Sequence, residues 1–364
     1  MIREYPALNI KFVCYTDWHQ LPDSANALFE RAAKDSLFFS RQWLARVTTE
    51  SANDGETLLL ACVVSAGTVM AILPLMQSPI KTWYSVKHGY TALFSLLLAS
   101  DDQQNVLACL AQGLSQLPFT GVLLEPVAKD DNNMIAFQHA MESAGFRCDH
   151  TFRHYNWIYR VQGESFADYM VARPARVRNT IARKQRKLER EHGYEIRLYT
   201  GDEALPAMPD YYAIYCASWK ANEQNEAFLK DIVDSFSKAG WTRLAILYVK
   251  GKPVAAQLWF VHHGKANVFR LAYDDTWRHY SPGSILTRFL MQHVIDTDKV
   301  EEIDYLTGND FYKQDWMSER RERYVLCCIK NTKPANKYER LFRPLKRLLP
   351  RHAGSKARAG VSNG

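Results

Sequence analysis

The sequence predicts an α/β protein with two lobes in tandem, each built on a central, mostly antiparallel mixed sheet flanked by helices. Its 364 residues exceed one average domain and fall short of three. Strand-like and helix-like patterns alternate along the chain. One hairpin pattern also occurs twice, as LLLACVVSAGTVMAILPLM and as LAILYVKGKPVAAQLWFV. A repeated unit of this size suggests an internal duplication, and chance similarity between α/β segments is the alternative.

The elements of the first half follow from periodicity and turn residues. Apolar residues recur at helical spacing from Ala27 to Leu44, and Ser65-Ala66-Gly67 separates two apolar runs as a hairpin turn does. The predicted elements are a helical pattern at 22–47, strands at 57–64 and 68–76, a helix at 103–117, a strand at 121–125, a helix at 133–144 and a strand at 154–161.

The second half repeats this order. Two strand patterns meet at the turn His263-Gly264, and an amphipathic helix begins near Ser284 with an apolar stripe from Leu286 to Ile295. The predicted elements are a helix after Pro174, helices at 211–219 and 228–239, strands at 244–249, 254–261 and 267–273, the helix from 284, and strands at 302–306 and 324–329.

Composition indicates a folded chain without a membrane span. Hydrophobic residues make up 47% of the chain and aromatic residues 12%, which is enough for a full core. No apolar run approaches the roughly 20 residues that cross a bilayer. The first residues lack a charged and then apolar leader, so we predict a cytoplasmic location. The seven cysteines are scattered, which predicts neither a disulfide framework nor a metal site.

The net charge of +7 is concentrated in two segments. One is the basic run from Arg173 to Arg190, and the other follows Lys330. Such segments favour an anionic partner, and a phosphate-bearing cofactor, an acidic glycan precursor, a membrane surface and a nucleic acid are all compatible. Nucleic acid is disfavoured because no recognition motif accompanies the charge. The sequence of residues 333–364 predicts a basic amphipathic helix at 336–349, followed by a disordered tail. The helix would either pack on the body of the protein or lie on the inner face of a membrane.

A predicted anion site lies where the strand at 267–273 runs through Arg278-His279-Tyr280-Ser281-Pro282-Gly283 into a helix. Free N–H groups and the helix dipole favour negative charge at a helix start. Ser281 as N-cap and Pro282 at the first helical position would also suit an ordinary helix start.

This hexapeptide, R-x-x-S-x-G, resembles the R/Q-x-x-G-x-G/A motif of the GNAT acyltransferases, with Ser281 in place of the middle glycine. Further pieces resemble the FemAB/CelD-type branch over about residues 165–330. Those pieces are Arg173-Pro174-Ala175-Arg176, Ser218-Trp219-Lys220, Ala256, Ala272-Tyr273-Asp274, Ser281-Pro282-Gly283, Asp304-Tyr305-Leu306-Thr307-Gly308, Tyr312-Lys313 and Trp316.

The resemblance implies an acyl-CoA site in a carboxy-terminal GNAT lobe at 161–332. The amino-terminal lobe, 1–160, has no counterpart of Arg278–Gly283, so we expect it to lack the cofactor and to form one wall of the substrate cleft. The cofactor-binding residues implied are Phe269, Leu271, Tyr273, Arg278, His279, Tyr280, Ser281, Gly283 and Ser284. The substrate-binding residues implied are Trp219, Lys220, Gln257, Arg270 and Lys313.

Two residues are implied as catalytic. Asp304 would take the amine proton or hold the amine in place, and Tyr312 would protonate the departing thiolate. A turn-capping role for Asp304 and a core role for Tyr312 are the alternatives. We therefore expect an acyl-CoA-dependent N-acyltransferase, with acetyl-CoA or another acyl-CoA as donor, in which an amine of a sugar, peptide or cell-envelope polysaccharide precursor attacks the thioester directly. An aminoacyl-tRNA-dependent transferase and an inactive adaptor in polysaccharide assembly remain open.

Overall fold

A computed structural model describes residues 3–5, 10–51, 55–99, 103–220 and 225–331. The predicted helix at 336–349 and the tail lie outside these residues. The helices within them are α1 (Ala25–Asp35), α2 (Arg41–Ser51), α3 (Gln103–Ser115), α4 (Asn132–Ser143), α5 (Phe166–Val171), α6 (Ala175–His192), α7 (Met208–Cys216), α8 (Glu226–Lys238), α9 (Pro282–Asp296) and α10 (Lys313–Trp316). The strands are β1 (Arg3–Tyr5), β2 (Ile10–Tyr15), β3 (Thr57–Ser65), β4 (Thr68–Gln77), β5 (Thr82–Ser85), β6 (Leu97–Leu98), β7 (Gly121–Ala128), β8 (Phe146–Arg160), β9 (Glu195–Tyr199), β10 (Thr242–Val249), β11 (Lys252–His262), β12 (Lys265–Tyr273), β13 (Glu302–Thr307) and β14 (Glu319–Lys330).

The strands form one mixed sheet whose order is symmetric about its centre. The order is β1-β2-β3-β4-β5-β7-β14-β8-β13-β12-β11-β10-β9, with β6 beside β4. On each side of the central β14–β8 pair stands one parallel pair, β5–β7 or β12–β13, followed by an antiparallel hairpin. Each parallel pair is short, matching 82–84 with 121–123 and 265–267 with 302–304. The predicted fold class is confirmed, and the symmetry supports an internal duplication.

The last strand of each half lies against the other half. β8 pairs with β13 on one side, while β14 inserts between β7 and β8. β14 and β8 are matched residue by residue from Glu319–Ile158 to Lys330–Phe146, apart from one bulge. The lobe boundary near residue 160 stays a prediction, because the two halves exchange strands across it.

One hydrophobic core joins the two lobes. Trp43 of α2 is fully buried, and its ring meets Phe228 of α8 and Phe269 of β12 edge-on at 5.7 and 6.1 Å between centroids. Edge-to-face aromatic pairs contribute about 0.5–1.5 kcal/mol beyond the area they bury. The lobes are therefore held by packing as well as by strand pairing.

The predicted helical pattern at 22–47 is two helices. Ser36 is extended, with φ −159° and ψ 138°, and its hydroxyl accepts a hydrogen bond from the Phe38 N–H. A short 3₁₀ turn at Leu37–Phe39 follows and buries all three side chains. The helix breaks because this side-chain bond offers the backbone an alternative to continued helix.

Candidate active site

β12 and β13 separate at the middle of the carboxy-terminal lobe. They pair in parallel only from Lys265–Asn267 against Glu302–Asp304, although β12 continues to Tyr273 and β13 to Thr307. Beyond these residues the facing backbone edges no longer pair with each other. Such a gap between two strands can accept an extended chain that supplies the missing hydrogen bonds.

A bulge in β12 sets which side chains face this gap. Leu258 lies opposite Arg270 and Trp259 opposite Val268, so Phe269 is the extra residue. Phe269 points into the core shared with Trp43, while Leu271 packs on the opposite face of the sheet. The Phe269 side chain therefore lies on the face of the sheet opposite to Leu271 and Tyr273, and its contact with a cofactor stays a prediction.

A cavity of about 440 Å³ opens on the face covered by α6 and α9, and we call it the helix-side cavity. Trp219 forms part of its rim, with its ring 4.5 Å from that of Tyr273. The lining residues are Arg176, Val177, Thr180, Ile181, Trp219, Gln257, Leu271, Tyr273, Gly283, Ser284, Thr287, Tyr312, Asp315 and Trp316.

The start of α9 forms one wall of this cavity. Ser281 adopts a left-handed conformation, with φ 54° and ψ 49°, and its side chain does not cap the helix. Its N–H donates to the Arg278 carbonyl at 3.0 Å, and the Ser284 N–H donates to the Ser281 carbonyl at 3.0 Å. Pro282 stands in the first turn as predicted, whereas the predicted side-chain cap by Ser281 is absent.

The predicted anion-binding residues divide into two groups. Gly283 and Ser284 line the helix-side cavity, whereas Arg278, His279 and Ser281 do not, and the first two side chains are exposed. Tyr280 is buried, and its hydroxyl contacts Glu191 and His192 at 2.8 and 2.7 Å. The predicted cofactor role of the Tyr280 side chain is corrected to an anchor that holds the turn against α6.

The basic helix α6 contributes charge at this turn. Arg176 lines the cavity and donates to Asp315 at 2.5 Å, and the Lys184 ammonium donates to the His279 carbonyl. The basic run is therefore placed beside the start of α9 as well as facing solvent.

A second cavity, of about 200 Å³, reaches the gap from the other face of the sheet, and we call it the interlobe cavity. The amino-terminal lobe supplies Gly89 and Tyr90 to its wall, as expected for that lobe. The lining residues are Gly89, Tyr90, Lys220, Val268, Phe269, Arg270, Leu271, Tyr305, Leu306, Thr307, Asp310, Tyr312 and Lys313. Leu271 and Tyr312 line both cavities, so the cavities meet at these two residues.

Tyr312 occupies this junction at the start of α10. The buried Arg173 guanidinium fixes the other end of that helix by donating to the Trp316 carbonyl at 3.0 Å. Desolvation, with a smaller contribution from the Asp310 carboxylate, raises the pKa of the Tyr312 hydroxyl. The hydroxyl therefore stays protonated near neutral pH and is able to donate a proton.

Two lysines border the interlobe cavity in different ways. Lys313 is 4% exposed and donates to the carbonyls of Tyr305 and Thr307 at 3.1 and 2.6 Å. It therefore secures the end of β13, a role that the prediction of acceptor contact did not include. Lys220 donates to the Leu271 carbonyl at 2.5 Å. Burial, followed by the nearby Arg270 charge, lowers the pKa of Lys220 to about 8.

Two predicted site residues have structural contacts instead. Asp304 lines neither cavity, and its carboxylate accepts bonds from Asn156, Arg321 and the Leu306 N–H at 2.5, 2.9 and 2.6 Å. The proton-accepting role of Asp304 stays a prediction, and these contacts favour the alternative, in which the carboxylate caps the end of β13.

Gln257 is 1% exposed, and its amide is fully engaged inside the protein. It donates to the Gly283 carbonyl at 2.9 Å and to the Thr287 hydroxyl at 2.7 Å, and it accepts from the Trp259 indole at 2.9 Å. A buried amide in an apolar strand was expected to need hydrogen-bond partners, and these three contacts supply them. The amide thus links β11 to α9, and because Gln257 also belongs to the lining of the helix-side cavity, its substrate contact stays a prediction.

Sequence reasoning missed Tyr90, which the amino-terminal lobe brings to the site. The Arg270 guanidinium lies 3.8 Å from the centroid of the Tyr90 ring, and His88 stacks on Phe228 at 4.2 Å. No motif marks this segment. The segment follows β5, the strand that takes in the amino-terminal half the position that β12 takes in the carboxy-terminal half.

Comparisons with known proteins agree with this architecture. Residues 175–314 match a family model described as an acetyltransferase (GNAT) domain. No curated protein sequence matches the chain. The matched segment extends from α6 into α10 and contains the carboxy-terminal walls of both cavities except Asp315 and Trp316.

Solved structures are similar to the chain in fold. FemX has a TM-score of 0.62 at 10% identity, covering 92% of this chain and 99% of FemX. The carboxy-terminal domain of a candidate lysylphosphatidylglycerol synthetase from Agrobacterium fabrum has a TM-score of 0.54 at 10% identity, covering 90% of this chain and 97% of that domain. L-PGS from Bacillus licheniformis has a TM-score of 0.53 at 12% identity, covering 92% and 98%. At these identities the similarity concerns the fold alone.

Two features are absent from the part of the chain that the structure describes. No helix there is long and apolar enough to cross a membrane. No group of three histidine, cysteine, aspartate or glutamate side chains in that part of the chain is placed to hold a metal ion.

Proposed function

We propose that this protein transfers an acyl group from acyl-CoA to an amine by direct attack of the amine on the thioester. The observation that carries the proposal is the meeting of two cavities at Leu271 and Tyr312, in the gap between β12 and β13. A thioester entering from one face and an amine entering from the other would meet at that point. The family match over residues 175–314 supports acyl transfer as the reaction class.

Three features of the helix-side cavity support a coenzyme A chain as its occupant. A Cβ at Gly283 would stand 3.1 Å from the Tyr273 ring, so the glycine leaves room beside that ring. The start of α9 and the Arg176 guanidinium offer positive charge for phosphate groups. Leu271, Tyr273 and Trp219 offer apolar surface for the pantetheine arm.

The residues at the junction would perform the remaining chemistry. The unpaired backbone edge of β12 would orient the amides of the incoming arm, and a backbone N–H on this edge would stabilise negative charge on the thioester oxygen. As the new C–N bond forms and the C–S bond breaks, Tyr312 would donate its hydroxyl proton to the departing sulfur. The proton that the attacking amine loses would then return to the Tyr312 oxygen, so that the products are the amide and the free thiol of coenzyme A.

Calorimetry and a thiol-release assay would test this proposal. Wild-type protein should bind acetyl-CoA or a longer acyl-CoA. Tyr312→Phe should bind it equally well yet release coenzyme A about 100-fold more slowly in the presence of an amine, since a positioned acid contributes roughly 10²–10⁴ in rate. Tyr324→Phe, which removes a hydroxyl bonded to Glu322 away from both cavities, should match wild type. No binding of any acyl-CoA by the wild type would refute acyl-CoA dependence.

A second candidate is transfer of an aminoacyl group from charged tRNA. The similarity in fold to FemX and the basic face of α6 favour it. Filter binding of charged tRNA, repeated with Arg183→Gln and Arg186→Gln on the exposed face of α6, separates the two candidates. A salt-dependent affinity that both substitutions weaken would favour tRNA over acyl-CoA.

A further inference from the structure

A cavity of about 550 Å³ lies between α3 and α4, and we call it the α3–α4 groove. Its floor is apolar, because Leu107 is buried and the alanines of α4 pack against a buried core. The lining residues are Gln103, Gln104, Leu107, Ala108, Gln112, Ala136, His139, Ala140, Ser143 and Ala144. Since a cavity of roughly 150 Å³ holds a benzene ring, the groove has room for about three large apolar side chains.

The corresponding surface of the carboxy-terminal half is covered by α5 and α6. In chain order α9 corresponds to α3 and α10 to α4, because each pair stands before and after a strand of the parallel pairing, β13 or β7. Phe166 of α5, with Ile181 and Leu188 of α6, is buried in one core with α9. The Phe166 N–H also donates to the Asp296 carboxylate at the end of α9 at 2.9 Å. Within the described residues, no third helix lines the α3–α4 groove.

The chain leaves the sheet at corresponding places in the two halves. Val161 follows β8, and its N–H donates to the carbonyl of Glu301, the residue before β13, at 2.8 Å. Lys330 ends β14, and its N–H donates to the carbonyl of Thr120, the residue before β7, at 3.0 Å. The segment after Lys330 therefore starts at the place equivalent to the start of the segment that covers α9.

The sequence after Lys330 also repeats the pattern of α5 and α6. In the first copy, Arg173-Pro174-Ala175-Arg176 separates α5 from a basic helix. The second copy is Arg343-Pro344-Leu345-Lys346. Arg173 and Arg343 each come 13 residues after the last residue of the preceding strand, Arg160 or Lys330. The two segments thus match in position as well as in composition.

The tail has an apolar face on both sides of Pro344. A proline inside a helical run bends or breaks the helix, as Pro174 precedes α6 in the other half. The opposite face of the run carries Arg340 and Arg347. The apolar residues that recur at helical spacing are Tyr338, Leu341, Phe342, Leu345, Leu348 and Leu349.

The tail is long enough to reach the groove and to fill it. The Asn331 N–H donates to the Gly145 carbonyl at 3.1 Å, and Gly145 is next to Ala144 of the groove lining. Residue 336 can lie up to roughly 18 Å from Asn331 along an extended chain. At about 1.5 Å per helical residue, the apolar face from 338 to 349 is roughly 16 Å long, and the α4 wall from 136 to 144 is roughly 12 Å long.

We propose that residues 336–349 pack into the α3–α4 groove and cover the amino-terminal half as α5 and α6 cover the carboxy-terminal half. Leu341 and Leu345 would face the alanines of α4, and the basic residues would face solvent. The tail would then be a structural part of the amino-terminal lobe, and its apolar face would not be open to a membrane surface. The inference is independent of the proposed acyl transfer, since the groove shares no lining residue with either cavity of the candidate site.

Photo-crosslinking in the full-length chain tests the contact directly. Benzoylphenylalanine replaces Ala108 in the groove or, as a control, Lys238 on the exposed surface of α8. The monomer band is digested with glutamyl endopeptidase, which leaves most of the basic tail in one peptide, and analysed by mass spectrometry. The probe at position 108 should capture residues 336–349, and the probe at 238 should not. Capture by neither probe, or capture at 108 only between two chains, would overturn the proposal.

Hydrogen exchange tests the same contact without a probe in the groove. Leu341→Asp with Leu345→Asp places charge on the apolar face of the tail, so the amides of α3 and α4 should exchange about tenfold faster. Arg340→Gln with Arg347→Gln alters the other face and should leave exchange in α3 and α4 unchanged.

Vesicles of phosphatidylglycerol and phosphatidylcholine test a membrane as the alternative occupant. Wild-type protein and the Leu341→Asp, Leu345→Asp variant are sedimented with them. Suppose that only the wild type sediments and that exchange in α3 and α4 is the same in both proteins. The apolar face of the tail would then bind lipid, and the proposal would be wrong.

Discussion

Replacing Gln257 by leucine tests how the start of α9 is held beside the gap. The side chain is 1% exposed and makes three hydrogen bonds, to Gly283, Thr287 and Trp259. Leucine is of similar size and removes all three. The Gly283 carbonyl keeps the Thr287 hydroxyl as donor at 3.0 Å. The Trp259 indole N–H is therefore the buried group that loses its hydrogen-bond partner.

The magnitude follows from these contacts. An unsatisfied buried donor costs about 1–3 kcal/mol, and each of the other two bonds contributes about 0.5–1.5 kcal/mol. We expect Gln257→Leu to lower the unfolding free energy by about 2–6 kcal/mol. Urea unfolding, followed by circular dichroism, measures it. The variant should also bind acetyl-CoA more weakly, since the Gly283 wall loses its link to β11.

A double-mutant cycle with Trp259→Phe supplies the control. Phenylalanine has no N–H that could be left unsatisfied. The double variant should therefore lose less unfolding free energy than the two single variants together, by about 1–3 kcal/mol. A loss below about 0.5 kcal/mol for Gln257→Leu, or additive effects in the cycle, would refute the claim that this amide links β11 to α9.

Three further predictions concern the cavity wall, a buried ion-pair cluster and pH. Gly283→Val places carbon atoms against the Tyr273 ring, and calorimetry should show acetyl-CoA binding at least about tenfold weaker. Glu125→Gln leaves Lys87 and Arg153 without their buried carboxylate, and thermal or urea unfolding should show that the unfolding free energy falls by about 3–5 kcal/mol. Above pH 8 the Lys220 ammonium deprotonates, so the unfolding free energy should rise more steeply with pH between about pH 8 and 10.5 in the wild type than in Lys220→Arg, whose charge persists.

Each of these has a matched control. Gly89→Val should leave acetyl-CoA affinity intact, since a Cβ there meets nothing within 4 Å and the residue lies outside the helix-side cavity. Glu195→Gln breaks an exposed pair with Arg197 and should cost less than about 1 kcal/mol. Because the pKa of Lys220 is lowered on folding, the unfolded chain binds more protons between about pH 8 and 10.5, and the contribution of Lys220 to stability should rise with pH there. A fall in that window would contradict the assignment.

The sequence predicted the hairpins and the helix after Gly283 because their signals are local. Alternating apolar residues around Gly67 and Gly264, and the apolar stripe of α9, lie within a dozen residues of one another. The central β14–β8 pair joins residues more than 150 positions apart. Local hydrophobic periodicity does not determine which distant strand becomes the neighbour in the sheet. The exchange of strands between the two halves was therefore not predicted.

The site was predicted in part for the same reason. Tyr312, Leu271 and Gly283 line the cavities, because their order along strand, turn and helix fixes their place. Phe269 faces the other way, because a bulge reverses the alternation and nothing in the sequence marks it. Asp304 was assigned from its position in a strand, and position alone does not reveal the Arg321 guanidinium that occupies it.

The exchanged strands make the molecule indivisible. A chain cut near residue 160 would leave β7 without β14 and β13 without β8, and both open edges would seek new partners. Two identical single-lobe chains that traded their last strands across a two-fold axis would show the same strand order. The present strand order is the one expected if such a pair were fused end to end, an arrangement in which each half can diverge in sequence while its last strand still completes the sheet of the other half.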